Sequence, residues 1–325
     1  MRTQEFLALA GLLLLAACGD RGTQESAAPK ATAKPAADGP VRVALIMKAQ
    51  GNPFFASMEK GARQAQKETG ADLTVRSTSE ETAIEEQINV VEGVVHDGTQ
   101  AIVIAPVDSH RLVPALKKAQ DAGIKIINID NRLDAAAMKE RGLTPPPFIS
   151  IDNERAAYRS AKYIADRVTK PSEAAIFEGI RHAANANDRL RGAQRAFAEN
   201  AQVKLVATET ANWNVDEAYA VAKPMFAAHP NIDLVFCAND MMALGLIRYL
   251  KEAKRHDVRI ASFDDLEDAR RAIKAGDIAV TVDQQADKQG YEGVMAAVKA
   301  VHGEALPKEI QLDAALVTVD SLKSK

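Results

Sequence analysis

After residue 40, short apolar runs alternate with amphipathic helical patterns, and this alternation restricts the fold more than any other feature of the chain. The first run, residues 41–47, is rich in β-branched residues, which is typical of a buried strand. The same strand-then-helix order then repeats to about residue 320. Repeated βα units predict an α/β fold with parallel sheets and right-handed crossovers.

The segment at residues 131–147 interrupts this order. It is charged and ends in Thr144-Pro145-Pro146-Pro147, which predicts a stiff, extended connector. A second series of strands and helices follows from Phe148. Two such series predict two similar α/β lobes with a cleft between them, and residues 41–325 suffice for two lobes of ordinary domain size.

Residues 1–40 have a different composition. An apolar run at residues 7–17 has the length of a signal-peptide core and is too short to span a bilayer as a helix. It leads into Leu15-Ala16-Ala17-Cys18, which resembles a bacterial lipobox; the alternatives are an ordinary cleaved signal or a buried apolar helix. Residues 19–40 lack Val, Ile, Leu, Met and aromatic residues, as a flexible linker would. We expect a signal peptide over 1–17, lipid on Cys18, a linker over 18–40 and an exported, membrane-anchored protein.

Several function classes lack support in the sequence. The formal charge is −3 with both signs interspersed, so no basic stripe indicates nucleic-acid binding. With Cys18 lipidated, only Cys237 remains, which rules out an internal disulfide. The chain has no Gly-rich phosphate loop, no nucleophile elbow, and no metal-ligand spacing among its six histidines. We therefore predict no catalytic residues, no metal and no cofactor.

The loop KAQGNPFF, residues 48–55, is the first candidate for binding. It follows the first strand, and ligands of open parallel sheets bind at the carboxyl ends of the strands. Phe54 and Phe55 beside Lys48 and Asn52 suit a ligand with an apolar face and a hydroxyl edge, such as a sugar ring. The alternative is that both rings belong to the core and the polar residues are solvated.

Other polar or aromatic residues follow further predicted strands. Each taken alone is more often a helix N-cap than a ligand contact. Arg189 stays a candidate although a solvated helix face explains most of the neighbouring arginines. Together, at the same topological end of both lobes, they indicate a binding cleft; they are Asp130, Asn131, the segment 185–189, Trp213, Asn239, Asp264 and Gln284.

The combination of motifs resembles the periplasmic sugar-binding proteins of ABC importers, in the branch that binds ribose and allose. The resemblance covers residues 41–320. It rests on NPFF at 52–55, IDN at 129–131, the R-x-x-G pattern at Arg189 and Gly192, CANDMMALG at 237–245, SFDD at 262–265 and TVDQQ at 281–285.

The resemblance implies two Rossmann-like lobes joined by a three-segment hinge, with crossings near Ile151, Asp283 and Leu312. The first lobe would comprise 41–151 plus 284–312, and the second 152–283 plus 313–325. Lys48 matches a lysine of the allose-binding branch. The ligand contacts that the resemblance implies are Asn52, Phe54, Phe55, Asp130, Asn131, Asn187, Trp213, Asn239, Asp264 and Gln284.

Two departures bear on the ligand. Asn131 and Asn187 stand where ribose binders have arginine, which puts ribose in doubt. The ligand is then an aldohexose such as allose, or a ring polyol such as inositol, and a neutral one. The expected partners are this ligand and the permease and ATPase of an importer, with a chemoreceptor or sensor kinase as the alternative. We expect a monomer that contacts the membrane only through its lipid and binds no nucleic acid.

Overall fold

The structure, a computed structural model, describes residues 39–323. The first part of the chain alternates strands and helices throughout. Its elements are β1 (Arg42–Met47), α1 (Pro53–Thr69), β2 (Asp72–Ser77), α2 (Ile84–His96), β3 (Ala101–Ile104), α3 (Val113–Asp121), β4 (Lys125–Ile129), α4 (Ala135–Arg141) and β5 (Phe148–Ile151).

The second part continues the alternation and returns once to the first. Its elements are α5 (Asn153–Ala165), β6 (Ser172–Glu178), α6 (Ala184–Ala198), β7 (Val203–Thr210), α7 (Val215–Ala228), β8 (Ile232–Cys237), α8 (Asp240–Glu252), β9 (Arg259–Ala261), α9 (Glu267–Ala275), β10 (Thr281–Asp283), α10 (Ala286–Val301), β11 (Glu309–Leu312), β12 (Ala315–Val317) and α11 (Val319–Lys323).

Two separate parallel sheets organise these elements. One has the strand order β11-β5-β4-β3-β1-β2 and the other β7-β6-β8-β9, while β10 and β12 form an antiparallel pair beside the second sheet. We call the elements around the first sheet the N-lobe and those around the second the C-lobe. The predicted α/β fold with parallel sheets in two lobes is confirmed.

The chain passes between the lobes three times: between β5 and α5, between β10 and α10, and between β11 and β12. Helix α10 therefore packs on the N-lobe although it follows the C-lobe in sequence. Gly61 on α1 and Gly290 on α10 permit this close packing, because a Cβ at either position would lie about 2 Å from a backbone oxygen of the other helix. The assignment of individual boundary residues to a lobe stays a prediction.

Some elements differ from the sequence-based expectation. Residues 131–147 contain helix α4, and β5 pairs with β4, so the Pro-rich segment lies within the N-lobe and does not join the lobes. Strand β11 and helix α11 were not expected. Short polar edge elements such as β11 lack the apolar run that identifies a buried strand.

No helix within residues 39–323 is long and apolar enough to cross a membrane. The predicted signal peptide, Cys18 and the linker up to Asp38 lie outside the residues that the structure describes.

Candidate functional site: the cleft between the lobes

The carboxyl ends of strands from both sheets face one another across a cavity. All the predicted ligand contacts except Asn131 and Asn187 line it, together with Asn185 from the predicted segment 185–189 and Glu81, which the sequence did not indicate. The lining residues are Lys48, Asn52, Phe54, Phe55, Glu81, Asp130, Asn185, Arg189, Trp213, Asn239, Asp264 and Gln284.

The N-lobe contributes one buried ion pair. Lys48 follows β1 and Asp130 follows β4, and Lys48 Nζ lies 2.8 Å from Asp130 Oδ2 with both side chains 3% exposed. Lys48 also lies over the ring of Phe55, which packs edge-to-face on Phe54 with ring centroids 5.0 Å apart. This half of the cavity thus presents a charged pair against an apolar wall.

Asn52 connects the N-lobe wall to the loop after β2. Its Oδ1 accepts a hydrogen bond from Phe54 N and caps α1, while its Nδ2 donates to Glu81 Oε1 at 2.7 Å. Burial raises the pKa of the Glu81 carboxyl above its ordinary value, and the nearby Lys48 charge opposes this rise.

The C-lobe contributes a second buried cation, Arg189 on α6. Its guanidinium donates to Asn153 Oδ1 at 2.9 Å, Ala238 O at 2.9 Å and Gln284 Oε1 at 3.1 Å. It also stacks on Phe263, with 3.8 Å between the guanidinium carbon and the ring centroid. Several rigid partners fix the guanidinium, in contrast to the single ion pair of Lys48.

Asp264 is the anionic partner of Arg189. Its Oδ1 lies 3.6 Å from Arg189 Nη1 and accepts a hydrogen bond from Gln284 Nε2 at 2.5 Å. Burial raises the pKa of Asp264 well above its ordinary value, while the charge of Arg189 acts to lower it. Gln284 directly follows β10, so this polar cluster connects the C-lobe wall to a segment that crosses between the lobes.

Trp213 supplies the aromatic surface of the C-lobe wall and is 5% exposed. Its carbonyl accepts a hydrogen bond from Asn239 Nδ2 at 3.2 Å, and Asn239 Oδ1 caps α8 by accepting from Met242 N. The ring lies so close to Gly179 that a Cβ there would be about 2.0 Å from it. Only glycine at position 179 leaves room for the indole in this orientation.

Three lining residues have left-handed backbone conformations: Asp130 with φ 61°, Trp213 with φ 66° and Asp264 with φ 125°. Such φ values are unfavourable for residues with a side chain, and they concentrate at functional sites. The two aspartates occupy corresponding places after a strand in each lobe. In each lobe the strained backbone thus directs a carboxylate into the cavity.

Besides Asp130 Oδ2, which forms the ion pair with Lys48, two buried polar atoms of the cavity wall have no hydrogen-bond partner among the described residues: Asn185 Oδ1 and Trp213 Nε1. Leaving a buried donor or acceptor unsatisfied costs roughly 1–3 kcal/mol. One is an acceptor and the other a donor. A polyhydroxylated ligand can satisfy both, since a hydroxyl both donates and accepts.

The lobes also contact each other directly beside the cavity. Ser109 Oγ accepts from Ala184 N at 3.1 Å, Ser109 N donates to His182 O at 3.4 Å, and Asn131 Oδ1 accepts from Asn185 N at 3.3 Å. We call these contacts the interlobe latch. They join loops after β3 and β4 to the first turn of α6 and to the loop before it.

Asn131 and Asn187 therefore have other surroundings than expected. Asn131 is fully buried; its Nδ2 donates a hydrogen bond to Pro106 O, and its Oδ1 accepts one from Asn185 N in the interlobe latch. Asn187 donates to Arg181 O and Ala183 O of its own loop. Asn185 instead faces the cavity, on the same helix face as Arg189 four residues later.

A further buried carboxylate, Asp240, lies just outside the cavity. It accepts from Ser262 Oγ at 2.5 Å, Thr281 Oγ1 at 2.8 Å and Leu266 N at 2.9 Å, which connects α8 to β10 and to the start of α9. Burial raises the pKa of Asp240 to about 7. The N-lobe makes a comparable connection with a neutral amide, Gln87, whose side chain bonds to Met47 O, Ala105 O and Val107 N.

No group of side chains within residues 39–323 has the arrangement of a metal site. The lining groups are acceptors, donors and aromatic faces, which are suited to hydrogen bonds and stacking.

In a comparison with protein families, a model described as a periplasmic binding protein domain matches residues 43–305 of this chain. The chain is 36% identical over 266 residues to a D-ribose/D-allose-binding protein of Pseudomonas aeruginosa, covering 81% of this chain and 83% of that protein. It is 31% identical to the D-allose-binding periplasmic protein of Escherichia coli, covering 84% of this chain and 87% of that protein.

Among solved structures, the chain is similar to a periplasmic solute-binding protein of an ABC transporter from Actinobacillus succinogenes with bound D-allose. The TM-score is 0.82 at 34% sequence identity, and the match covers 88% of this chain and 100% of that one.

Proposed function

The chain belongs to the periplasmic binding protein family, in its ribose- and allose-binding branch, and we propose that it captures one neutral monosaccharide, an allose-like aldohexose, between its lobes. It is the sugar-binding component of an ABC importer and not an enzyme, and it acts after export to the periplasm. Its partners are accordingly a permease and an ATPase.

The observation that carries the ligand proposal is the pairing of charges within the cavity. Lys48 with Asp130 and Arg189 with Asp264 form one buried ion pair on each side. Such groups form strong, directional hydrogen bonds to hydroxyls, while Phe54, Phe55 and Trp213 provide flat apolar surfaces for a ring. Because each cation already has an anionic partner, the wall offers no unpaired positive charge to a sugar acid or phosphate.

A thermal-shift screen of the purified protein tests this proposal, with D-allose, D-ribose, D-glucose and myo-inositol as probes and D-ribose 5-phosphate as the charged control. A sugar at 100 times its Kd adds about 2.7 kcal/mol to the free energy of unfolding, so Tm rises. We expect D-allose to produce the largest rise. No shift with any neutral ring, or a larger shift with the phosphate, would contradict the proposal.

We also propose that Cys18 carries lipid and that the monomeric protein is anchored to the membrane through it. The support is the sequence Leu15-Ala16-Ala17-Cys18 at the end of the apolar run. Cys18→Ala should move the protein from the membrane fraction to the soluble fraction, with Cys237→Ala as the control that stays in the membrane. Retention of Cys18→Ala in the membrane would disprove the anchor.

A further inference from the structure

The charges around the cavity do not balance. Lys48 pairs with Asp130 in the N-lobe, and Arg189 pairs with Asp264 in the C-lobe. Glu81 is a fifth ionisable group in the same wall. No cation among the described residues lies within ion-pairing distance of its carboxylate.

Only one protein group donates to Glu81 within residues 39–323, and that is Asn52 Nδ2 at 2.7 Å. A carboxylate has about four acceptor sites, so one amide hydrogen leaves most of this capacity unused. The side chain is half-buried against the cavity and its desolvation raises its pKa. A carboxylate under these conditions gains most from a further hydrogen-bond donor in the cavity.

The neighbouring residues direct the unused acceptor sites of Glu81 into the cavity. Asn52 is fixed as the N-cap of α1, because its Oδ1 accepts from Phe54 N at 3.0 Å. Its amide therefore holds Glu81 Oε1 beside Lys48 and the two phenylalanines. A ring stacked on the aromatic wall would place its edge within reach of this carboxylate.

We propose that Glu81 is a specificity-determining residue that accepts a hydrogen bond from one particular hydroxyl of the bound sugar. An amine at the same ring position could donate this hydrogen bond instead. This inference rests on the proposed function, since it requires a sugar in the cleft. It adds a third recognition point on the N-lobe side, besides Lys48 and Asp130, and it makes the site sensitive to one ring position.

The competing role is purely structural: Glu81 would hold Asn52 in place and never contact the ligand. In that case loss of the charge would weaken binding of every sugar by the same factor. A direct contact instead couples Glu81 to a single hydroxyl, and a double-mutant cycle between the residue and the ligand group measures that coupling.

The experiment is calorimetry of wild type, Glu81→Gln and Glu80→Gln with D-allose and with each of its monodeoxy analogues. Glu80 is exposed in the same loop, so Glu80→Gln is a matched control for removal of one negative charge. We expect Glu81→Gln to bind D-allose about tenfold more weakly, because a neutral amide replaces a charged acceptor, and Glu80→Gln to bind as wild type does. For the analogue that lacks the hydroxyl contacted by Glu81, the affinities of wild type and Glu81→Gln should lie within about twofold of each other.

A tenfold loss that persists for every analogue would overturn the proposal in favour of the structural role. Equal binding of D-allose by wild type and Glu81→Gln would overturn it as well. The titration of wild type is read separately: if D-allose does not bind there, the proposed ligand of the protein fails, and the role of Glu81 with it. Melting curves without sugar check that both variants are folded.

Discussion

The two lobes present the same set of groups to the cleft but hold them differently. Each offers a cation, an aspartate with a left-handed backbone and an aromatic wall. In the N-lobe, Lys48 makes one ion pair, and no cation within residues 39–323 forms an ion pair with Glu81. In the C-lobe, Arg189 donates to three further partners and stacks on Phe263.

This difference assigns different roles to the two walls. The C-lobe wall is organised before the ligand arrives, and a fixed guanidinium loses little entropy on binding. The N-lobe wall has a lysine with one ion-pair partner and an undersatisfied carboxylate, so we expect it to adapt to the ligand and to distinguish between ligands. Mutations in the C-lobe wall should therefore cost affinity for all sugars, and mutations in the N-lobe wall should change the order of preference.

Exchanging the two cations for alanine tests this comparison with the largest expected effect. Arg189→Ala leaves Asp264 buried without its cation, and breaking a buried pair costs roughly 3–5 kcal/mol. We expect calorimetry with D-allose to show at least about 100-fold weaker binding. Lys48→Ala should lose less, because Lys48 has a single ion-pair partner within residues 39–323 and makes no hydrogen bonds comparable to those of Arg189. Arg191→Ala, at an exposed position of the same helix, is the control, and a larger loss for Lys48→Ala would reverse the comparison.

The pH dependence of stability should differ between the lobes because one uses Asp240 where the other uses Gln87. Since burial raises the pKa of Asp240 to about 7, the folded chain holds a proton between about pH 4 and 7 that the unfolded chain has lost. The free energy of unfolding therefore falls as pH rises through this window, by up to about 4 kcal/mol from this group. Urea unfolding measured across this pH range should show the decrease in the free energy of unfolding for wild type and no such decrease for Asp240→Asn.

The reciprocal variant, Gln87→Glu, sharpens the same test. Its buried carboxyl group would face the carbonyls of Met47 and Ala105, and we expect it to remain protonated at neutral pH. We expect the N-lobe to acquire a decrease in stability with rising pH. If Asp240→Asn follows the wild-type profile, the burial of Asp240 does not control the pH response.

The two cleft aspartates should have smaller and comparable effects. A hydrogen bond to a charged group is worth about 1.5–3 kcal/mol, so Asp130→Ala and Asp264→Ala should each weaken binding of D-allose about 10- to 150-fold. Both carboxylates are buried and ion-paired, so melting temperatures without sugar should fall too. Wild-type affinity in both folded variants would show that the sugar does not bind between them.

The smallest effect concerns the contacts between the lobes. Ser109→Ala removes the acceptor for Ala184 N from the interlobe latch, and a neutral hydrogen bond contributes about 0.5–1.5 kcal/mol. We expect Kd for D-allose to rise about 2- to 10-fold, with the melting temperature of the sugar-free protein little changed. Ser79→Ala, whose hydroxyl bonds to Glu86 within the N-lobe, is the control. Equal affinity of both variants would mean that the latch does not stabilise the closed arrangement.

The sequence predicted the fold and most residues of the cavity wall, but it misplaced one site residue and missed another. Asn52 and Asn239 were identified because each follows a predicted strand at its carboxyl end, and both are N-caps as well as cavity residues. Asn187 was chosen by motif position, although a residue two places further along a helix points about 200° away. The spacing of four residues to Arg189 favours Asn185, and this signal was present in the sequence.

Glu81 was missed for a different physical reason. It lies in the polar run STSEET after β2, which has the composition of a solvated turn. Only the strand order shows that β2 neighbours β1, so that the loop after it reaches the same edge as Lys48. Whether a half-buried carboxylate lacks a counter-charge depends on distances between loops, which no local pattern encodes.

The interlobe latch also affects how long a captured molecule is retained. Its three hydrogen bonds, from Ala184 N, Ser109 N and Asn185 N, are made by the protein alone and have to break before the lobes separate. At about 1 kcal/mol each, together they would slow that separation about 100-fold. Residence time in the cleft is then set partly by atoms that never touch the sugar, and two ligands of equal hydrogen-bonding strength would depart at similarly slow rates.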